Sequence, residues 1–147
     1  MAPLTVVRKV LLEEVSIERA WELLTDPVQV RKWYAFGGAE IDLVPGGVLT
    51  FRWVEHGMYR GAIDVVEAPT RFAYRFSQLE DADPASDNAT EVELTLEETE
   101  AGTLVKVSER GFEQLALHSP TAGKELAVAS AEAWLAAFAE LHALAHS

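Results

Sequence analysis

Cysteine is absent from all 147 residues. That absence removes a thiol nucleophile, a thiolate metal site, a disulfide staple and a thiol redox switch. Long apolar runs are missing too, and none approaches the roughly 20 residues of a membrane-spanning helix. Met1 to Leu12 carries Arg8 and Lys9 within its apolar run and has no small-residue cleavage site, so it does not read as a signal peptide. Basic residues are scarce: 12 Lys and Arg stand against 24 Asp and Glu, for a formal net charge of −12. There is no basic stripe to release counterions from nucleic acid, and an anionic membrane would repel the chain. A Gly-rich phosphate loop, a serine elbow and a carboxylate pair at fixed spacing are also lacking. The expectation is a soluble, cytoplasmic protein with no cofactor and no nucleic-acid or membrane partner.

What is present fits a single domain spanning residues 1–147. A chain of this size can bury roughly 70% of its unfolded surface and needs no covalent staple. Its last stretch, Pro120 to His146, has the most regular pattern. Trp134, Phe138, Leu141 and Ala145 recur at helical spacing, with Leu135 and His142 beside them. Ser119-Pro120 supplies an N-cap and a first-turn proline. A helix of about 25 residues would be roughly 37 Å long, more than a small core requires, so its packing partner should be a broad sheet.

Upstream, Leu4 to Leu12 reads as a first strand. Ser16 caps a short helix with Glu18 in its first turn and Ala20, Trp21 and Leu24 on one side. Thr25-Asp26-Pro27 ends that helix and caps a second, Val28 to Trp33, so the pair should form a V. Gly37-Gly38 then releases the chain into strands at Glu40 to Val44, Val48 to Val54, Met58 to Glu67 and Arg71 to Gln78. Pro45-Gly46-Gly47 marks a hairpin between the first two. Leu49, Phe51 and Trp53 share one face, as do Tyr59, Ile63 and Val65, and Phe72, Tyr74 and Phe76. Leu79 to Ala89 is a long polar loop with the composition of a disordered stretch. Val92, Leu94 and Leu96 alternate with acidic residues, Glu100-Ala101-Gly102 turns, and Val105 and Val107 return. Between Arg75 and Lys106 no basic residue occurs while nine acidic ones do, which reads as a solvated sheet face.

Several motifs together resemble one family. They are Ser16-x4-Trp21-x-x-Leu24-Thr25-Asp26-Pro27, Trp33, Pro45-Gly46-Gly47, Tyr59-x-Gly61, Arg110-Gly111-Phe112 and Trp134-x3-Phe138-x2-Leu141. Across nearly the whole chain they resemble the START-like (SRPBCC) superfamily of helix-grip proteins. Within it they are similar to the branch of the C-terminal domain of the activator of heat-shock protein 90 ATPase. Ala133 departs from the glycine that this branch often places before the tryptophan. The resemblance implies an α+β helix-grip fold: a curved antiparallel sheet of about seven strands, with two short helices after the first strand, wrapped around a long C-terminal helix. It also implies a cavity between sheet and helix, and a superfamily of lipid carriers and polyketide cyclases. A chaperone partner is a further implication, and a homodimer is compatible with it.

The inward face is rich in rings: Trp33, Phe51, Trp53, Tyr59, Phe72, Tyr74, Phe76, Trp134 and Phe138 would converge there. One reading is an apolar pocket for a small lipid, polyketide or aromatic molecule. The other is that the rings fill the core. Continuing the parity of Val105 and Val107 turns Glu109 inward, making it the one candidate catalytic carboxylate. Its alternatives are a salt bridge with Arg110 or Arg52, or exposure at the strand end. Catalysis by Glu109 with Tyr59 or Tyr74 would be cyclase- or hydrolase-like, whereas simple binding needs no such group. His56 falls in a turn and should be exposed, and His118 precedes the long helix near Glu113. His142 and His146 have the i, i+4 spacing of two metal ligands, but no third is evident, so no metal is expected. Trp33 to Gly38 reads either as a gate or as a plug wedging the helical V against the sheet.

Overall fold

Among the described residues, seven antiparallel strands account for the period-two alternation, and three α-helices account for the remaining apolar periodicity. The structure, a computed structural model, describes residues 4–115 and 122–147. The expected Ser119-Pro120 cap and His118 lie outside the described residues. The strands are β1 (Thr5–Glu13), β2 (Gly38–Ile41), β3 (Val48–Trp53), β4 (Gly57–Glu67), β5 (Arg71–Ser77), β6 (Ala89–Thr99) and β7 (Gly102–Arg110). The helices are α1 (Ile17–Thr25), α2 (Pro27–Trp33) and α3 (Ala122–Ala145), with a short 3₁₀ turn at Phe112–Gln114. Strand order is β1-β7-β6-β5-β4-β3-β2. The chain therefore leaves one edge after β1, crosses by α1 and α2 to the other edge, and returns by consecutive hairpins to pair β7 with β1. This is the α+β helix-grip fold.

Local chemistry sets the helical V. The Ser16 hydroxyl accepts from the Arg19 amide at 3.1 Å, capping α1. Asp26 serves both helices: its amide donates to the Glu22 carbonyl, and its carboxylate accepts from the Val28 amide at 2.9 Å. Pro27 at the first helical position loses no donor that the helix would use. The V is then pinned from inside, where buried Trp33 donates its indole N–H to the Leu23 carbonyl at 2.7 Å.

Three expectations need correction. The second strand ends at Ile41 rather than reaching Val44, because Asp42 to Gly47 folds into a tight turn. A side chain at Gly47 would meet the Asp42 carbonyl oxygen at 2.1 Å, so only glycine fits there. In β4 a bulge between Ile63 and Val65 reverses the parity. Val66, not Val65, consequently lies opposite Phe72 and packs on the core. The polar loop is tied down rather than loose. The Asn88 side chain accepts from the Ala85 amide at 2.7 Å and donates to the Asp83 carbonyl at 3.0 Å, while Arg60 pairs with Asp81 at 2.7 Å.

The core lies between the inner sheet face and the helices. Leu12, Ile63, Phe72, Val92, Leu94, Val105 and Val107 supply the sheet side; Ala20, Leu23, Leu24 and Val30 supply the V. Helix α3 buries Trp134, Phe138 and Leu141, whereas Leu135, one position off that stripe, is exposed. The outer sheet face is charged and paired. Arg71 meets Glu93, Arg75 meets Asp64 and Arg110 meets Glu91, which explains the acidic alternation along β6.

Candidate functional site

Glu109 is the penultimate residue of β7, and the parity that turns Val105 and Val107 inward turns it inward as well. It is 4% exposed. Arg110 is taken by Glu91 and Arg52 by Glu40, so neither of the expected salt bridges forms, nor is the residue exposed at the strand end. Three neutral donors hold the carboxylate instead. Oε2 accepts from the Thr90 hydroxyl at 2.6 Å; Oε1 accepts from the Trp134 indole N–H at 2.9 Å and from the Ser130 hydroxyl. Thr90 in turn accepts from the Gln78 side-chain amide at 3.0 Å. A carboxylate oxygen has two lone pairs, so Oε1 is filled and Oε2 has room for one more donor.

This group sits on a cavity of about 550 Å³ between α3, the α2 corner and the β3–β5 end of the sheet. The sheet contributes Trp53, Tyr59 and Phe76, and the α2 corner contributes Trp33, Tyr34 and Phe36. Helix α3 lines the opposite wall with small side chains, Ala129, Ser130, Ala133, Ala136 and Ala137, and that lack of bulk leaves the space open. Ala133 thus adds a methyl to the wall at the point where the resembling branch often has glycine. Exposed residues His56 and Glu140 stand at the mouth.

Of the residues singled out from sequence, Trp33, Trp53, Tyr59, Phe76 and Glu109 border this space. Phe51, Phe72, Tyr74, Trp134 and Phe138 do not; each is at most 3% exposed and packs in the layer behind. Their rings meet one another, with Phe72 5.3 Å from Tyr74 and Trp134 5.9 Å from Phe138. Rings thus fill the middle of the core and border a cavity at one end. Tyr34, read in sequence only as part of the gate-or-plug stretch, joins the two. It stacks on Trp134 at 4.8 Å, lies edge-on to Phe51 and Trp53, and its carbonyl accepts from the Trp53 indole at 2.7 Å. Burial pushes its phenol well above the usual range, and the nearby Glu109 charge adds to the shift. Tyr74 shifts the same way, chiefly by burial. These phenols stay protonated. The stretch from Trp33 is accordingly a plug through Trp33 and Tyr34, while Phe36 is exposed at the mouth.

Thr90 and Ser130 were overlooked, although each left a trace in the sequence. Thr90 continues inward the parity of Val92, Leu94 and Leu96, and Ser130 stands one helical turn before Trp134.

A second cluster lies at the far end of α3. His142 and His146 meet Glu13, and the three ligand-type atoms fall within 4.8 Å of one another. This supplies the third group that sequence left unidentified. His142 Nε2 is 2.7 Å from the Glu13 carboxylate. Both ring nitrogens of His146 face backbone carbonyls, of His142 and of Glu13, each at 2.7 Å. Those contacts raise the His146 pKa, and the hydrogen bond from His142 leads in lowering that of Glu13. A ring that donates from both nitrogens is an imidazolium, so the geometry is that of an ionic clasp. Metal ligation would require His146 to release a carbonyl.

The family model described as Activator of Hsp90 ATPase homolog 1-like protein matches residues 14–145. Among solved structures, the chain is similar to protein MLL2253 from Mesorhizobium loti, at 18% identity and a TM-score of 0.76, with 95% of each chain covered. It is similar to CalU16 from Micromonospora echinospora at 20% identity and a TM-score of 0.66, covering 94% of this chain and 70% of that one. The Aha1 dimer from Colwellia psychrerythraea gives 18% identity and a TM-score of 0.70, with 97% and 94% covered. At such identities the likeness shows the fold alone. No curated protein matches significantly.

Proposed function

Because the chain belongs to the family of Activator of Hsp90 ATPase homolog 1-like proteins, we propose that it uses the space between sheet and terminal helix to bind a small hydrophobic molecule. The observation that carries this reading is the cavity itself, about 550 Å³ with aromatic walls and one hydrogen-bonded carboxylate at its base. Ligand sites commonly occupy roughly 300–1,000 Å³ and combine apolar walls with a few placed polar groups. Lipid, polyketide and aromatic molecules are the candidate classes. Native mass spectrometry of gently purified protein should show retained mass, and a hydrophobic-ligand screen should raise the melting temperature. A protein that retains nothing and is stabilised by no compound would end this reading.

Binding is better supported than catalysis. A cyclase- or hydrolase-like mechanism needs Glu109 and a tyrosine to converge on one point. Among the described residues, however, the hydrogen-bond partners of Glu109 are Thr90, Ser130 and Trp134. Two partner proposals accompany the binding role. The likeness to a solved Aha1 dimer supports a homodimer, which light scattering would read as twice the chain mass. The family description supports a chaperone partner, which stimulation of an Hsp90 ATPase by the purified chain would test.

A further inference from the structure

We propose that the molecule taken by this cavity is a protonated amine carried on an aromatic or apolar body. The inference rests on the binding reading and narrows it to one charge class. Glu109 is a buried carboxylate whose hydrogen-bond partners among the described residues are neutral. Buried charges in proteins are ordinarily matched by an opposite charge. Arg8, opposite Val107 on the neighbouring strand, donates to the Ala131 carbonyl at 3.0 Å rather than to Glu109, while Arg110 pairs with Glu91 and Arg52 with Glu40.

No lysine or arginine is among the described residues that line the cavity. The mouth carries exposed His56 and a second carboxylate, Glu140, and the whole chain carries a formal charge of −12. An anionic guest such as a fatty acid would be placed against Glu109 with no lysine or arginine of the described lining to receive it. A neutral guest could donate one hydrogen bond to Oε2 but would leave the charge unmatched. An ammonium group supplies both the missing donor and the missing charge. The electron-rich rings of Trp53, Tyr59 and Tyr34 then favour a cation near their faces over an anion. The protein's field draws cations toward the mouth as well.

Three probes on one indole frame separate the possibilities: tryptamine, tryptophol and indoleacetate. By calorimetry, tryptamine should bind about tenfold more tightly than tryptophol, and indoleacetate should bind weakest. In Glu109→Gln the amide oxygen can still accept from Ser130 and Trp134. That variant should lose the advantage of tryptamine, the amine and the alcohol then binding within about twofold of each other. Should it fail to fold, Glu140→Gln at the exposed mouth tests the charge preference separately, and the tryptamine-to-tryptophol affinity ratio should fall about threefold. Tryptophol or indoleacetate binding as tightly as tryptamine would overturn the inference while upholding the binding role. An amine preference unchanged in the folded carboxylate variants would likewise overturn it. Absence of binding by all three probes would count against both.

Discussion

One hydroxyl, that of Thr90, joins two parts of the site: it accepts from Gln78 and donates to Glu109 at 2.6 Å, and its residue is fully buried. Thr90→Val keeps the shape but leaves a buried carboxylate one donor short. The expected loss is about 1–3 kcal/mol, read as a lower urea midpoint; an unchanged midpoint would mean that the hydroxyl does not hold Glu109. Phe138 and Tyr59 make a second contrast. Phe138 is 3% exposed and absent from the cavity wall, so Phe138→Ala should cost about 3–5 kcal/mol. Tyr59 is half-buried and borders the open space, so Tyr59→Ala should cost clearly less and weaken ligand binding instead. Equal losses would contradict the division between filled core and cavity. Glu109 was legible in sequence because strand parity is local. Its partners were not, since Ser130 and Trp134 lie 21 and 25 residues away on another element.

Helix α3 is fastened at its C-terminal end to β1 through the clasp of Glu13, His142 and His146. The folded pKa of His146 is raised above the usual 6.5, so its contribution is fully present below that value and is lost as pH rises through the raised one. Glu13 is shifted the other way: its contribution is present above the usual 4.5 and fades as pH falls through the lowered folded value. The clasp should therefore be tightest between about pH 4.5 and 6.5 and should loosen as pH rises from there through the raised His146 value. Amide exchange of residues 142–147 should accelerate above that window, and the NMR titration of His146 should fall above 6.5. Exchange that is flat with pH would show that the clasp does not restrain the helix end. Strand elements carry a different lesson. Alternation identified β3, β5 and β6 correctly, but the β4 bulge reversed the faces of Val65 and Val66. A bulge adds one residue without changing composition, so it leaves no mark on the pattern.

For the molecule as a whole, charge and cavity act together. The outer sheet face absorbs arginines into pairs with Glu91, Glu93 and Asp64, leaving the inner carboxylate to neutral partners. If the field helps to draw in an amine, the association rate of tryptamine should fall as salt rises, whereas that of tryptophol should not. Stopped-flow fluorescence of the two would read this, and equal salt dependence would remove the steering role. The sequence by itself determined the element order, the capped V, the long terminal helix and the aromatic inner face. Each of these follows from periodicity and turn chemistry within a few residues. Only the tertiary structure decided which rings fill the core and which border a cavity, how Glu109 gains donors from three elements, and that Glu13 reaches two histidines. Those outcomes depend on strand register and on how closely α3 approaches the sheet, distances between segments that no local pattern encodes.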